Sequence, residues 1–124
     1  MNTAALENKI GAIDIIKGLA HTLGPLFIDY VEQVSKLLVT ELMHDKISSH
    51  IRKSATKTLS ILLMCTKDQE QMKQLMTLYI PGFASAIKVY IERLDFSTTK
   101  WMTQELSRCI KHFYNWKGEP WISD

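Results

Sequence analysis

The chain has 124 residues, a hydrophobic fraction of 46% and a formal net charge of +2. This length and composition predict one soluble globular domain, and the charge is too small to indicate nucleic acid or an anionic membrane as the partner. The chain lacks a run of about 18 consecutive apolar residues, and its N-terminus resembles neither a secretory signal nor a transit peptide. We therefore expect an intracellular protein without a spanning helix.

Apolar residues recur at three- and four-residue steps along most of the chain, which is the pattern of amphipathic helices. The predicted helices cover residues 3–23, 25–43, 48–66, 68–93 and 97–115. Gly24 ends the first helix, and Ser48 or Ser49 caps the third. Pro81 is expected to kink or break the fourth, because proline removes a backbone hydrogen bond. The residues predicted to be buried include Ile13, Ala20, Leu23, Phe27, Tyr30, Val31, Leu37, Leu38, Ile51, Ala55, Leu59, Leu62, Met72, Tyr79, Ile80, Phe83, Tyr90, Ile91, Met102, Cys109 and Ile110.

Three stretches carry the same apolar pattern at separations of roughly 43 and 47 residues, which indicates a helical repeat. Ile16, Leu59 and Leu106 fall at one equivalent position, and Leu19, Leu62 and Cys109 at another. Paired helices at this period are typical of HEAT and armadillo proteins, which present long surfaces to other macromolecules. We therefore predict an all-α superhelix of about five antiparallel helices that acts as a binding scaffold and not as an enzyme.

The predicted organisation is a single HEAT-repeat domain that belongs to a longer solenoid. Residues 3–23 would be the inner helix of a partial repeat, residues 25–66 and 68–115 two repeats, and residues 116–124 an irregular tail. Trp116 and Trp121 are expected to pack back on the last helix pair. The apolar outer sides of the first and last helices would be partly uncovered, so we expect the isolated chain to self-associate.

A more specific likeness lies around the second and third helices. Residues 27–38 (FIDYVEQVSKLL), Asp45 in the following turn and residues 51–55 (IRKSA) resemble a HEAT repeat of the karyopherin-beta family, within the importin-beta superfamily. The likeness is closest to the karyopherin beta three or importin five type. It implies a nuclear transport receptor that carries protein cargo through the nuclear pore, contacts nucleoporins and releases its cargo when the GTP form of Ran binds. It also implies shuttling between cytoplasm and nucleus.

The resemblance implies that the second helix of each pair lines an inner, partner-binding surface. The candidate residues on these helices are Glu7, Asp14, Lys53, Lys57, Lys100, Arg108 and Lys111. Their mostly positive charge would repel basic cargo. Two other interpretations stay open: a HEAT scaffold of another assembly, such as a phosphatase regulatory subunit, and a small nucleic-acid-binding HEAT protein. Nucleic acid is not favoured, because the basic residues lack interleaved aromatic side chains.

The sequence contains no motif that indicates catalysis or a cofactor. Glu41 and His44 have the Glu-x-x-His spacing of di-iron bundles, but Cys109 stands where His112 would need a glutamate. Cys65 and Cys109 lie in apolar helical stretches, so we expect buried, reduced thiols and not nucleophiles. We therefore predict no metal ion, no cofactor and no covalent chemistry.

Overall fold

The computed structural model describes residues 3–44 and 48–116, and within these ranges the chain is helical and contains no strand. The α-helices are α1 (Thr3–Leu23), α2 (Ile28–Leu37), α3 (Ser49–Met64), α4 (Gln69–Glu92) and α5 (Phe96–Asn115). The predicted all-α class is confirmed. The predictions for Asp45, Trp121 and the rest of the tail after Trp116 lie outside the described residues.

Polar side chains set the starting points of the last three helices. The capping residues are Ser48, Asp68 and Asp95, whose side chains accept a hydrogen bond from the amide three positions later at 3.2, 2.9 and 3.1 Å. Each bond satisfies one of the amide donors that a helix N-terminus leaves free. The predicted cap Ser48 is confirmed. Helix α5 begins earlier than predicted, because Asp95 supplies the cap.

The second predicted helix is not a uniform α-helix. Gly24–Phe27 forms a 3₁₀ turn before α2, and Leu38–Leu42 forms a π-helical turn after it. Gly24 has a φ of 53°, a left-handed conformation that glycine adopts without steric cost. This residue allows the chain to change direction between α1 and α2.

Helix α4 passes through Pro81 without a break, so that part of the prediction is wrong. Tyr79 and Phe83, on either side of the proline, are both fully buried in the common core. Their packing holds the two halves of the helix together and outweighs the hydrogen bond that proline removes.

Helices α1, α3 and α5 form one layer, with α3 in the middle and in contact with both neighbours. The Cys65 sulfur, at the C-terminal end of α3, lies 3.5 Å from the carbonyl oxygen of Ala20, near the end of α1. Ser60 of α3 donates a hydrogen bond of 2.7 Å to Glu105, in the middle of α5. Helices α3 and α5 run in the same direction, because Arg52 and Asp95 meet at their N-terminal ends and Ser60 and Glu105 meet further along. Helix α1 runs the same way, since it packs along α3 and meets it at the C-terminal ends of both helices.

Helices α2 and α4 form the second layer and run opposite to the first. The Tyr79 hydroxyl of α4 donates to the Leu59 carbonyl oxygen of α3 at 2.8 Å and shares a hydrogen bond of 3.1 Å with the Ser35 hydroxyl of α2. Tyr79 is completely buried, and its hydroxyl therefore joins three helices at the centre of the molecule. Burial of this ring raises the pKa of Tyr79, so it stays a neutral hydrogen-bond donor.

Several residues predicted to be buried are exposed instead. They are Leu23, Tyr30, Leu37, Ile80, Ile91 and Ile110. A helical apolar pattern identifies a broad apolar side, but only the neighbouring helices determine how much of that side is covered. The predicted uncovered sides of α1 and α5 are confirmed, since Ile15, Leu19 and Tyr114 are also exposed. Both cysteines are free and buried, as predicted.

The N-terminal helical run Ala4–Glu41 is long and apolar enough, by length and composition alone, to cross a membrane. Its most apolar window has a mean hydropathy of 1.2, and 17% of that window is buried. The sequence criterion of an uninterrupted apolar run did not detect it. The turn at Gly24–Phe27 divides this run into α1 and α2, which run in opposite directions and both pack against α3.

An ion pair connects the N-terminal ends of α3 and α5. The Arg52 guanidinium is almost fully buried, with Nη2 3.7 Å from Oδ2 of Asp95. Its Cζ atom also lies 5.0 Å from the centre of the Tyr90 ring, within the range of a cation–π contact. Hydrogen bonds from Thr98, first from its hydroxyl and then from its amide, lower the pKa of Asp95, and the charge of Arg52 contributes in the same direction.

Replacing Asp95 tests this connection. We expect Asp95→Ala to lower the free energy of unfolding by about 1–2 kcal/mol at neutral pH, because it removes the cap of α5 and the partner of Arg52. The folded pKa is lowered, so this stabilisation is present above the usual value of 3.8 and is lost as the pH falls through the folded pKa. Urea unfolding at pH 7 and at about pH 3 measures both effects.

Asp95→Asn is the control for the charge, because asparagine is also a good N-cap. This variant should keep most of the neutral-pH stability and lose the acid dependence. An equal destabilisation by Asp95→Ala at both pH values would contradict the role of the carboxylate.

Candidate interaction surface

Helix α3 meets solvent along a single narrow stripe. After Ser49, the only residues of α3 that are not buried are His50, Lys53, Lys57, Ile61 and Met64. They recur at three- and four-residue steps, so they share one side of the helix. The two flanking helices and the second layer cover every other side. The stripe therefore lies at the middle of the outer surface of the α1–α3–α5 layer.

The seven residues predicted for the partner-binding surface are all exposed. Glu7 and Asp14 lie on α1, Lys53 and Lys57 on α3, and Lys100, Arg108 and Lys111 on α5. In the register predicted from the sequence, Lys100, Arg108 and Lys111 of α5 correspond to Lys53, Ile61 and Met64 of the α3 stripe. Glu7 and Asp14 of α1 correspond to His50 and Lys57 of the same stripe. All seven candidate residues therefore lie at stripe positions or at positions that correspond to them.

The α3 and α5 part of this surface is positively charged. Within the described residues, no carboxylate pairs with Lys53, Lys57, Lys100 or Lys111 at 4 Å or less. On α1, Asp14 pairs with Lys17 at 3.9 Å, and both side chains are exposed. Exposed pairs of this kind contribute little to stability. The charges of these lysines of α3 and α5 are not neutralised by nearby carboxylates in the described part of the chain, so this part of the surface is positively charged.

A buried polar cluster lies beneath the surface, between α3 and α5. Glu105 is 6% exposed, accepts a hydrogen bond of 2.7 Å from Ser60 and forms an ion pair of 3.2 Å with Arg108. The Ser60 hydroxyl also lies 3.5 Å from the sulfur of Cys109. Arg108 is therefore held over a buried carboxylate, and it is less available to a partner than the lysines.

Sequence reasoning missed Glu105 and Ser60. Both lie on sides of their helices that also carry apolar core residues, since Glu105 follows Met102 and precedes Cys109 by about one turn each. The signal that could have identified these two residues was their place among apolar positions that face the core. The pattern alone could not show that the two polar groups face each other.

The chemistry of the cysteines does not favour nucleophilic catalysis. Burial raises the pKa of Cys65 to about 11 and that of Cys109 to about 11, although the hydrogen bond with Ser60 opposes the effect for Cys109. A thiol with such a pKa is almost entirely protonated at neutral pH. Across residues 3–44 and 48–116, no group of three or more His, Cys, Asp or Glu side chains could hold a metal ion.

Comparison with known proteins gives no match: no protein-family model, no curated protein and no solved structure resembles the chain significantly.

Proposed function

We propose that this chain is a HEAT-repeat segment of a nuclear transport receptor of the karyopherin-beta type, which acts by non-covalent protein binding. The observation that supports this most is the packing order: α1, α3 and α5 run parallel in one layer, and α2 and α4 run opposite in the other. Two layers built from successive helix pairs are what stacked repeats of this class require. The resemblance of residues 27–38 and 51–55 favours the karyopherin family within that class.

The contact between Arg52 and Asp95 also supports a repeat organisation. Arg52 opens the second helix of one pair, and Asp95 lies in the turn between the helices of the next pair. In the sequence, Asp45 lies between the residues of α2 and those of α3, as Asp95 lies between α4 and α5. An ion pair between the same elements of adjacent units is a means of setting the stacking of one pair on the next.

The charge of the surface favours an acidic partner. Lys53 and Lys57 on α3 and Lys100 and Lys111 on α5 would attract carboxylates and repel basic cargo. We propose that this segment contacts acidic protein surfaces, such as an acidic part of Ran or of a cargo, and that the receptor shuttles between cytoplasm and nucleus.

Binding of purified Ran to the chain tests the transport function. We expect the GTP-loaded form to bind and the GDP-loaded form to bind at least about tenfold more weakly, as measured by titration calorimetry. The double variant Lys53→Glu, Lys57→Glu should weaken binding, and Lys73→Glu is the matched control, because Lys73 is exposed on α4 in the other layer. No binding, or equal binding of both nucleotide forms, would leave a scaffold of another assembly, such as a phosphatase regulatory subunit, as the better explanation.

The positive surface also keeps nucleic acid as a second candidate. If the lysines bind phosphates, affinity for a DNA duplex should fall steeply as the salt concentration rises, because bound counterions are released. An affinity that is weak at low salt and insensitive to salt would eliminate this candidate.

A further inference from the structure

Large apolar side chains are uncovered at helical steps from the end of α1, through the following turn, to the end of α2, and we call this set the α1–α2 surface. It consists of Leu19, Leu23, Leu26, Tyr30 and Leu37, whose exposed fractions lie between 39% and 76%. Soluble proteins seldom leave several large apolar side chains uncovered side by side unless the patch binds something.

The α2 part of this surface faces away from the rest of the molecule. The Ser35 hydroxyl lies 3.1 Å from the Tyr79 hydroxyl and so marks the side of α2 that faces α4. At about 100° per residue, Tyr30 lies about 140° and Leu37 about 160° around the helix from Ser35. The exposed edge of α2 is therefore the edge opposite α4, where no neighbouring helix is present within the described residues.

The α1 part repeats the pattern of a surface that is already covered elsewhere in the molecule. Ala55, Leu59 and Leu62 of α3 are fully buried in the core that α3 shares with α2 and α4. The equivalent residues of α1, in the register of the sequence repeat, are Ala12, Ile16 and Leu19. Ala12 and Leu19 are exposed, and Ile16 is half-buried.

The α1–α2 surface thus corresponds, element by element, to the surface of α3 and α4 that α2 covers. Helix α2 packs on α3 and beside α4, with its direction opposite to α3. The α1–α2 surface offers α1 in the place of α3 and α2 in the place of α4. A helix that occupied this surface would extend both layers with the packing that the molecule already uses.

We propose that the α1–α2 surface binds an amphipathic α-helix that runs antiparallel to α1, with apolar side chains at three- and four-residue steps. This is the helix-in-groove type of recognition. The contact is apolar, because Asp14 and Lys17 are rotated about 140° and 160° around α1 from Leu19. The proposal rests on the packing within this chain and does not depend on nuclear transport.

Helix α2 itself supplies the probe, since it already packs against the equivalent surface of α3. A fluorescent peptide with the sequence of residues 25–44 is titrated with the full chain and followed by anisotropy. We expect saturable binding that Leu19→Lys weakens at least about tenfold, because the substitution places a charge in an apolar contact. Ile110→Lys is the matched control: this residue is 42% exposed on α5, against 46% for Leu19, and its variant should bind normally.

Several outcomes would overturn the proposal. The first is an absence of binding up to about 100 µM of the chain. The second is binding that Leu19→Lys leaves unchanged, since the peptide would then occupy another place, such as that of α2 itself. A peptide that carries Lys in place of Val31 and Leu38 should not bind, and if it binds, the amphipathic pattern is not what is recognised. Circular dichroism of each chain variant verifies that it is folded.

Two further experiments test whether a second copy of the chain or a lipid surface occupies the α1–α2 surface instead of a helix. Sedimentation velocity of the chain without peptide detects a second copy, and co-sedimentation with neutral phosphatidylcholine vesicles detects a lipid surface. If Leu19→Lys abolishes either association while the peptide fails to bind, that occupant replaces the helix. The proposal is supported if the peptide binds and the chain is monomeric and does not bind vesicles.

Discussion

Leu62→Ala in α3 is expected to lower the free energy of unfolding by about 3 kcal/mol, the typical cost of a cavity in a close-packed core. Leu19→Ala removes the same atoms at the equivalent position of α1 and should cost less than about 1 kcal/mol. The difference arises because Leu62 is fully buried, whereas Leu19 is 46% exposed. Urea unfolding, followed by circular dichroism, measures both values.

This pair of variants shows whether two positions with the same predicted place in the repeat contribute differently to stability because their surroundings differ. Similar costs at the two positions would mean that Leu19 is covered in solution, for example by self-association. Repeating the measurement at several protein concentrations distinguishes that case, since an association makes stability depend on concentration.

Gly82→Ala is expected to lower the free energy of unfolding by about 2 kcal/mol, although alanine is the better helix former by about 1 kcal/mol. A Cβ at this position would collide with Cγ1 of Val39, on the neighbouring helical segment. Val39 is buried, and its β-branched side chain has few alternative rotamers. The contact between α4 and the π-helical turn after α2 must therefore shift to admit the extra methyl group.

Val39→Ala is the matched partner for this prediction. In the Val39→Ala background, Gly82→Ala should become nearly neutral or stabilising, because the space that it needs has been made. A double-mutant cycle measures this coupling, which we expect to exceed about 1 kcal/mol. Additive effects of the two substitutions would show that the close approach does not limit the packing of the π-helical turn against α4.

The helices themselves could be predicted well from local signals. The apolar period identified all five, Ser48 was correctly expected to cap α3, and the bounds of α1 agree with the predicted residues 3–23. These features depend on residues within one or two turns of each other, so the local sequence carries the information. The break expected at Pro81 does not occur, because Tyr79 and Phe83 are held by distant parts of the chain. Local sequence carries no information about these contacts.

The candidate surface was predictable only in part. Charge and helical period were sufficient to expect Lys53 and Lys57 on the solvent side of α3, and they are exposed. The burial of Glu105 against Ser60 was not predictable, because the two residues are far apart in sequence and meet only when α3 packs on α5.

By itself, the sequence determined that this protein is built from amphipathic helices and where most of them begin and end. It also predicted which residues are equivalent between helices. Only the tertiary structure decided which equivalent residues are covered. Leu62 is buried and Leu19 is exposed, although both follow the same local pattern. Burial depends on which helices lie beside a residue, and the periodicity of one helix contains no information about its neighbours.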